Sequence, residues 1–208
     1  MLHFTASNGV TITSRNILTY GNSKVSGQVA IWSTMPIVSC PGSTPECRKS
    51  CYAMKAVRRY PSVARGYQAR HELMQENSHL WVLMMLEHID RYHPAVIRAY
   101  GAGDIMTQRD VDVWNLVAAL RPRVQIYGYT KSRHLFDFTK LDSKPNVNFI
   151  DSYLPDGEIN FGHIDSITDR CTRLGVKLCP VTQGQASAHC MTTCKLCLTE
   201  RHIGFIQH

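Results

Sequence analysis

The chain has 208 residues, 44% hydrophobic and 19% charged, with a formal net charge of +7. This composition suits a globular protein of one-domain length and excludes a disordered one; no apolar run nears the ~18 residues of a membrane span. Met1-Leu2-His3-Phe4-Thr5 lacks the basic head and apolar run of a secretory signal. The sequence thus predicts a cytosolic protein whose eight cysteines stay reduced, which points to metal or redox chemistry. Disulfides are the alternative if the chain is exported.

The whole chain, 1–208, reads as a single α/β domain in which 1–27 form a polar N-terminal extension with Gly9, Gly21 and Gly27. Gln28 to Ser33 has the pattern of a buried strand, and a loop with Pro36, Pro41 and Pro45 follows. A long helical region is expected from about Glu46 or Cys47, interrupted near Pro61. In it Leu80, Leu83 and Met84 form an apolar stripe beside Met85, which we read as core. Arg48, Lys49, Lys55, Arg58, Arg59, Arg65 and Arg70 are either one solvated helix face or a footprint for nucleic acid.

From Ala95 onward the pattern is rhythmic. Ala95 to Tyr100 is strand-like and runs into Gly101-Ala102-Gly103-Asp104. A Thr107-x-x-Asp110 capping signature then opens a helix with Val111, Trp114, Val117 and Ala118 on one side, ended by Pro122. Val124 to Tyr129 is the next strand, leading to Thr130-Lys131-Ser132 and a short helix to about Leu141. Val147 to Ile150 is a strand ending in Asp151-Ser152, and Glu158 to Phe161 is a further short one. Ile164 to Leu174 is helical and stopped by Gly175; Val176 to Cys179 follows as a strand, and His202 to Ile206 closes the sheet. Alternating strands and helices predict a parallel sheet. The length falls short of the ~250 residues of an eightfold barrel, so a partial (β/α) barrel of about six units is expected.

In such architectures the chemically active groups occupy loops at the C-terminal strand ends. The cysteines follow that rule. Cys40, Cys47 and Cys51 lie after the first strand, Cys179 ends a late one, and Cys190, Cys194 and Cys197 lie beyond it. If the sheet nearly closes, these seven face one rim as metal ligands. Cys171, inside a predicted helix, is a small buried hydrophobe. Clustered thiolates are soft ligands that select zinc, copper(I) or iron–sulfur. Structural zinc prefers paired Cys-x2-Cys knuckles, which only Cys194/Cys197 provides; iron–sulfur accepts the irregular Cys-x3-Cys-x2-Cys steps seen here. Four ligands complete one [4Fe–4S] cluster, leaving three for a second centre. His189 is a candidate further ligand or supporting donor.

The first group reads Cys40-Pro41-Gly42-Ser43-Thr44-Pro45-Glu46-Cys47-Arg48-Lys49-Ser50-Cys51-Tyr52-Ala53. With Cys179-Pro180 and the terminal triplet, it resembles a bacteriophage family known as gene product 88-like, over nearly the whole chain from Val29 onward. The resemblance implies a viral origin, and hence a host-cell cytoplasmic location, and a cysteine-bound centre. Cys190, Cys194 and Cys197 also match the spacing by which radical S-adenosylmethionine (SAM) enzymes bind [4Fe–4S], and Gly101-Ala102-Gly103-Asp104 resembles their SAM-contacting Gly-Gly-Glu segment. That second resemblance implies Gly101, Gly103 and Asp104 as cofactor-binding residues. In that family the cysteine motif lies in the first βα loop, where this chain has Cys47-x3-Cys51.

The expectation is therefore an iron–sulfur protein, [4Fe–4S] in type, with SAM as a further cofactor and Asp104, Lys131 and Asp151 ringing the cluster as catalytic groups. Strand-end capping is the alternative role for those three. The alternative functions are an electron-transfer iron–sulfur protein without catalysis, and a zinc-stabilised module binding nucleic acid. Expected partners are a small molecule or redox protein, with no membrane.

Overall fold

A computed structural model describes residues 1–22, 25–185, 190 and 193–206. The N-terminal region is more structured than a polar extension. It forms β1 (His3–Thr5) and β2 (Thr11–Thr13), an antiparallel pair, then β3 (Thr19–Asn22) antiparallel to β4 (Val25–Ile31). Ile12, Ile17 and Leu18 from this region enter the main core, so short buried anchors stand within polar surroundings.

The expected long helix is four helices: α1 (Pro45–Lys49), α2 (Tyr52–Arg59), α3 (Pro61–Glu76) and α4 (Ser78–Tyr92). Pro45 and Pro61 occupy first-turn positions, where a missing N–H removes no intrahelical bond. Thr44 caps α1 by accepting from the Cys47 N–H, and Asn77 caps α4 by accepting from the Leu80 N–H. In α4 the buried stripe is Trp81, Met84, Met85, His88 and Ile89. Met84 and Met85 are core as expected, but Leu83 faces solvent at 54% exposure. The stripe is rotated because Trp81, the largest apolar side chain of the helix, takes the centre.

Beyond α4 come β5 (Val96–Ala99), α5 (Gln108–Leu120), β6 (Gln125–Thr130), a 3-10 turn (Arg133–Leu135), α6 (Thr139–Asp142) and β7 (Val147–Asp151). The capping signature is realised: Thr107 accepts from the Asp110 N–H, and Val111, Trp114, Val117 and Ala118 are buried. Then follow β8 (Phe161–Gly162), α7 (Ile164–Leu174), β9 (Lys177–Leu178), α8 (Leu196–Thr199) and β10 (Ile203–Ile206). Gly175 ends α7 in the left-handed conformation, φ 65°.

The main sheet has five strands in the order β3-β4-β5-β6-β7, parallel from β4 onward. Here β10 does not close it. Instead β10 runs parallel between β8 and β9 in a separate three-stranded sheet, and the two sheets meet at a parallel bridge between Asp151 and His202. No barrel closes among the described residues.

Strand alternation sends side chains to two different partners. Ala30, Trp32, Ile97, Ala99, Ile126 and Phe149 pack with α3, α4 and α5, through a run of edge-on aromatic contacts Trp32–Trp81–Trp114–Phe149. Val29, Ile31, Tyr127 and Ile150 face the other way, against Cys179, Cys197 and Ile203 of the C-terminal segment. Cys171 is buried with Leu154, Ile167 and Ile206, as a small apolar side chain.

Candidate metal centre and its surroundings

None of the eight cysteines forms a disulfide. Cys40, Cys47 and Cys51 bear on one another in one place, and Cys179, Cys190, Cys194 and Cys197 in a second. The first place is a junction of three loops at the C-terminal strand ends. Asp104 organises it: Oδ1 accepts from the Ile105 N–H at 2.7 Å, and Oδ2 accepts from the Lys131 N–H at 2.9 Å and the Ser132 hydroxyl at 3.1 Å. The Asp104 N–H in turn donates to the Ser39 carbonyl. Burial pushes the Asp104 carboxyl up to about 6, against the pull of those donors.

Loop packing here is tight. A β-carbon on Gly42 would overlap the Lys131 carbonyl, and one on Gly103 (φ +83°) would overlap the Thr34 and Ser39 hydroxyls. Ile37 and Tyr100 hold positive φ, 69° and 57°, the former a rare state for a β-branched residue. Gly101, Gly103 and Asp104 therefore do structural work in seating the loop that carries Cys40. The sequence expected cofactor contact or a turn, and the turn role is visible. Lys131 contributes its backbone N–H, and Asp151 Oδ1 accepts from the Tyr153 N–H, an ordinary strand-end cap.

Cys40 lies in this junction. Burial, then the charge of Asp104, pushes its thiol up to about 12, with Cys47 and Cys51 adding to the rise. Cys47 sits within α1 and Cys51 immediately precedes α2. Three thiols and one carboxylate thus share an electrostatic neighbourhood at the strand-end mouth.

The second place is the inner face of the sheet. Cys197 is in α8, not in a loop, and α8 packs on β6 and β7. Its Sγ is 2.8 Å from the Tyr129 hydroxyl. Its carbonyl, with that of Glu200, accepts from the Asn148 side-chain amide. Burial pushes the Cys197 thiol up to about 12; the Tyr129 hydrogen bond opposes this, and Cys179, Cys190 and Cys194 raise it further. A backbone bridge sets Cys190 beside Cys194, and the Cys179 N–H donates to the Gly204 carbonyl. His189 lies outside the described residues.

Among the described residues, no three His, Cys, Asp or Glu side chains are grouped closely enough to hold a metal ion. What the four inner-face thiols match is donor number and softness: four cysteines are the complement of an all-cysteine cluster or of tetrahedral zinc.

Four residues between the two thiol groups carry polar chemistry that sequence reading did not select: Tyr52, Arg98, Tyr127 and Tyr129. The Tyr52 hydroxyl donates to the Gly101 carbonyl. Burial raises the Tyr127 and Tyr129 phenols, keeping both protonated. The Arg98 guanidinium lies over the Tyr129 ring, 5.5 Å from its centroid. The visible signal was Arg98 itself, a cation inside the otherwise apolar Val96–Ala99 strand.

A five-stranded mixed α/β sheet, parallel from β4 to β7, with thiols at its strand-end mouth and on its inner face is the class that this geometry defines. The Gene product 88 family matches residues 7–161, and the chain belongs to that family. The match begins before Val29 and covers the first cysteine group, Gly101 to Asp104, Lys131 and Asp151; it ends ahead of Cys179 and the terminal triplet. Neither the curated proteins nor the solved structures hold a significant match.

Proposed function

We propose that this protein holds a cysteine-ligated iron–sulfur centre, [4Fe–4S] in type, on the inner face of its sheet. Cys179, Cys190, Cys194 and Cys197 would ligate it. The supporting observations are that Cys179 and Cys197 share one apolar cluster, that a backbone bridge sets Cys190 beside Cys194, and that Cys197 Sγ lies 2.8 Å from the Tyr129 hydroxyl. Four soft sulfurs with Cys-x3-Cys-x2-Cys spacing favour iron–sulfur over a two-knuckle zinc site.

Cys40, Cys47 and Cys51 offer three donors in the first βα loop, a set that suits a second cluster with one open iron. The parallel run from β4 to β7, with that loop at its mouth, agrees with a radical-SAM-like partial barrel. In this reading the open iron serves SAM-dependent or other redox chemistry, with a small molecule as substrate. A cluster supplies one-electron transfer when bound; the chain supplies the thiols, a dry floor and the loop clamp at Asp104.

The test is anaerobic purification followed by iron, sulfide and zinc analysis. A brown protein with about four iron and four sulfide per inner centre supports the reading. A colourless protein carrying zinc replaces it with the zinc-stabilised module, and a metal-free protein ends it. Formation of 5′-deoxyadenosine from SAM and a reductant separates an enzyme from an electron carrier.

A second activity has its own support. Arg48, Lys49, Lys55, Arg58, Arg59 and Arg65 are exposed and form no ion pairs among the described residues, and Tyr52 and Tyr60 are exposed between them. Unpaired cations with interleaved aromatics suit single-stranded nucleic acid, whose binding falls steeply with salt. Arg70 is not part of that face: its guanidinium donates to the Ile17, Asn16 and Gly66 carbonyls.

A further inference from the structure

Arg98 is a cation that the chain's own acids leave unanswered. It sits on β5, and the strand register sets it beside Ile31 of β4 and Tyr127 of β6 in one row on the inner face of the sheet. Its Nε is buried without a hydrogen-bond partner, and the guanidinium enters no ion pair among the described residues. All 16 acidic side chains of the sequence belong to described residues, so none is left over to pair with it. The groups that act on its charge are the Tyr52, Tyr127 and Tyr129 phenols and the Cys197 thiol, with Tyr67 as a fourth phenol. None is a carboxylate, and each belongs to a class of acid that is mostly neutral at pH 7. The Tyr129 ring, 5.5 Å from the guanidinium, attracts the charge through its face but gives the N–H groups no acceptor oxygen. An enclosed cation without an anion is costly. The side chain is only half-buried, so an anion from solvent can reach it.

We infer that this position is a binding site for an oxyanion from outside the chain, a phosphate group, held by the Arg98 guanidinium and the Tyr127 hydroxyl. The guanidinium fork matches two phosphate oxygens at once and has its donors free to do so. Tyr127 is the register partner of Arg98 on the next strand, and its phenol supplies a further donor on the same face. A tetrahedral phosphate has more acceptor oxygens for this set than a carboxylate has. Access is also charged. Tyr52 ties α2 to the end of β5 by donating to the Gly101 carbonyl, and α2 carries Lys55, Arg58 and Arg59, all outside the ion pairs of the described residues. Cations so placed draw an anion toward the strand end. The site needs neither the metal nor the nucleic-acid strand proposed above. Its phosphate can arrive as a free phosphomonoester or as the terminal phosphate of a strand.

The probe is inorganic phosphate, titrated calorimetrically into the full-length protein at constant ionic strength, with chloride as the control. Wild type should bind phosphate saturably. Arg98→Gln should bind it about tenfold or more weakly, with Arg98→Lys in between, because lysine keeps the charge and loses the fork. Tyr127→Phe removes one hydroxyl and should weaken binding roughly fivefold. Heat no greater than with chloride overturns the site, and so does an Arg98→Gln affinity equal to that of wild type. Where Arg98→Gln does not fold, Tyr127→Phe decides, and an affinity equal to wild type overturns the site.

Two short oligonucleotides of one sequence, with and without a 5′-phosphate, then identify the source. A preference for the phosphorylated strand that Arg98→Gln abolishes supports the site and assigns it to a strand end. Equal binding of the two strands, beside saturable binding of phosphate, supports it as a site for a free phosphomonoester. If phosphate binds and neither strand does, the nucleic-acid reading of the basic face fails while the phosphate site stands.

Discussion

The side chain of Asn148 holds Cys197 against the sheet: its amide donates to the Cys197 carbonyl at 3.0 Å and to the Glu200 carbonyl at 2.8 Å. One residue thereby satisfies one carbonyl of a four-residue helix too short to be stable alone and the carbonyl of its C-cap. Asn148 is itself on β7, so the strand's register decides where that sulfur stands. Replacing Asn148 with Ala leaves both carbonyls without that donor in a buried site. The expected loss is about 1–3 kcal/mol, measured by denaturant unfolding. Metal content should fall in the same variant, while the helical face of the core, on the other side of the sheet, keeps its fluorescence from Trp81 and Trp114.

Asp104 makes stability depend on pH. Its carboxyl titrates near 6 in the folded protein because it is buried, above the ordinary value of 3.8. The native state thus binds its proton more tightly than the unfolded chain does. Between about pH 4 and 6 the native state carries more protons, so this residue makes stability fall as pH rises and level off above 6. Asp104→Asn should flatten that segment of the stability–pH curve. It should also lower stability at every pH, because an amide cannot accept from Ile105, Lys131 and Ser132 as the carboxylate does. A curve with unchanged slope would show that Asp104 is solvated.

Gly42 and Gly103 should tolerate no side chain. Alanine at 42 meets backbone, the Lys131 carbonyl, which cannot swing aside as a side-chain end can. Alanine at 103 meets two hydroxyls and also must adopt φ +83°. Each substitution should destabilise by about 1–3 kcal/mol. The Gly42 variant should displace Cys40, so that its alkylation quickens while Cys197 reacts as before.

Much of the middle of the chain was legible. Thr107 with Asp110, the apolar residues at 111, 114, 117 and 118, and Gly175 after Leu174 each carry a local rule, and the helices there match. The strands around Ile97, Ile126 and Phe149 were equally plain. What escaped depends on tertiary partners. β1 to β3 are short and polar and owe their order to a few anchors such as Ile12. Met84 over Leu83 was decided by where Trp81 points. Sequence shows that Cys197 follows a late strand, but not that α8 packs on β6 and β7. Gly101 to Asp104 and Lys131 also join loops, through close glycine contacts, the Asp104 carboxylate and the Lys131 N–H, and those tertiary partners could not be read from the sequence.

The thiols should separate by reactivity in metal-free protein at pH 8. Thiolate, not thiol, is the nucleophile, so both exposure and proton affinity set the rate. Cys171 is only 1% exposed and packs against Gly204, and it should label only on unfolding. Cys40 and Cys197, each pushed up to about 12 from 9.0, should react on the order of a thousandfold more slowly than an unshifted thiol. Cys47, Cys51, Cys190 and Cys194, all half-buried, should label before Cys171 and Cys197. Mass spectrometry of peptides after timed alkylation reads the order directly. Loading with iron and sulfide should then protect Cys190 and Cys194 alongside Cys179 and Cys197, since bound sulfur is no longer nucleophilic. If loading instead protects only Cys40, Cys47 and Cys51, the centre belongs at the strand-end mouth and the inner-face thiols are packing.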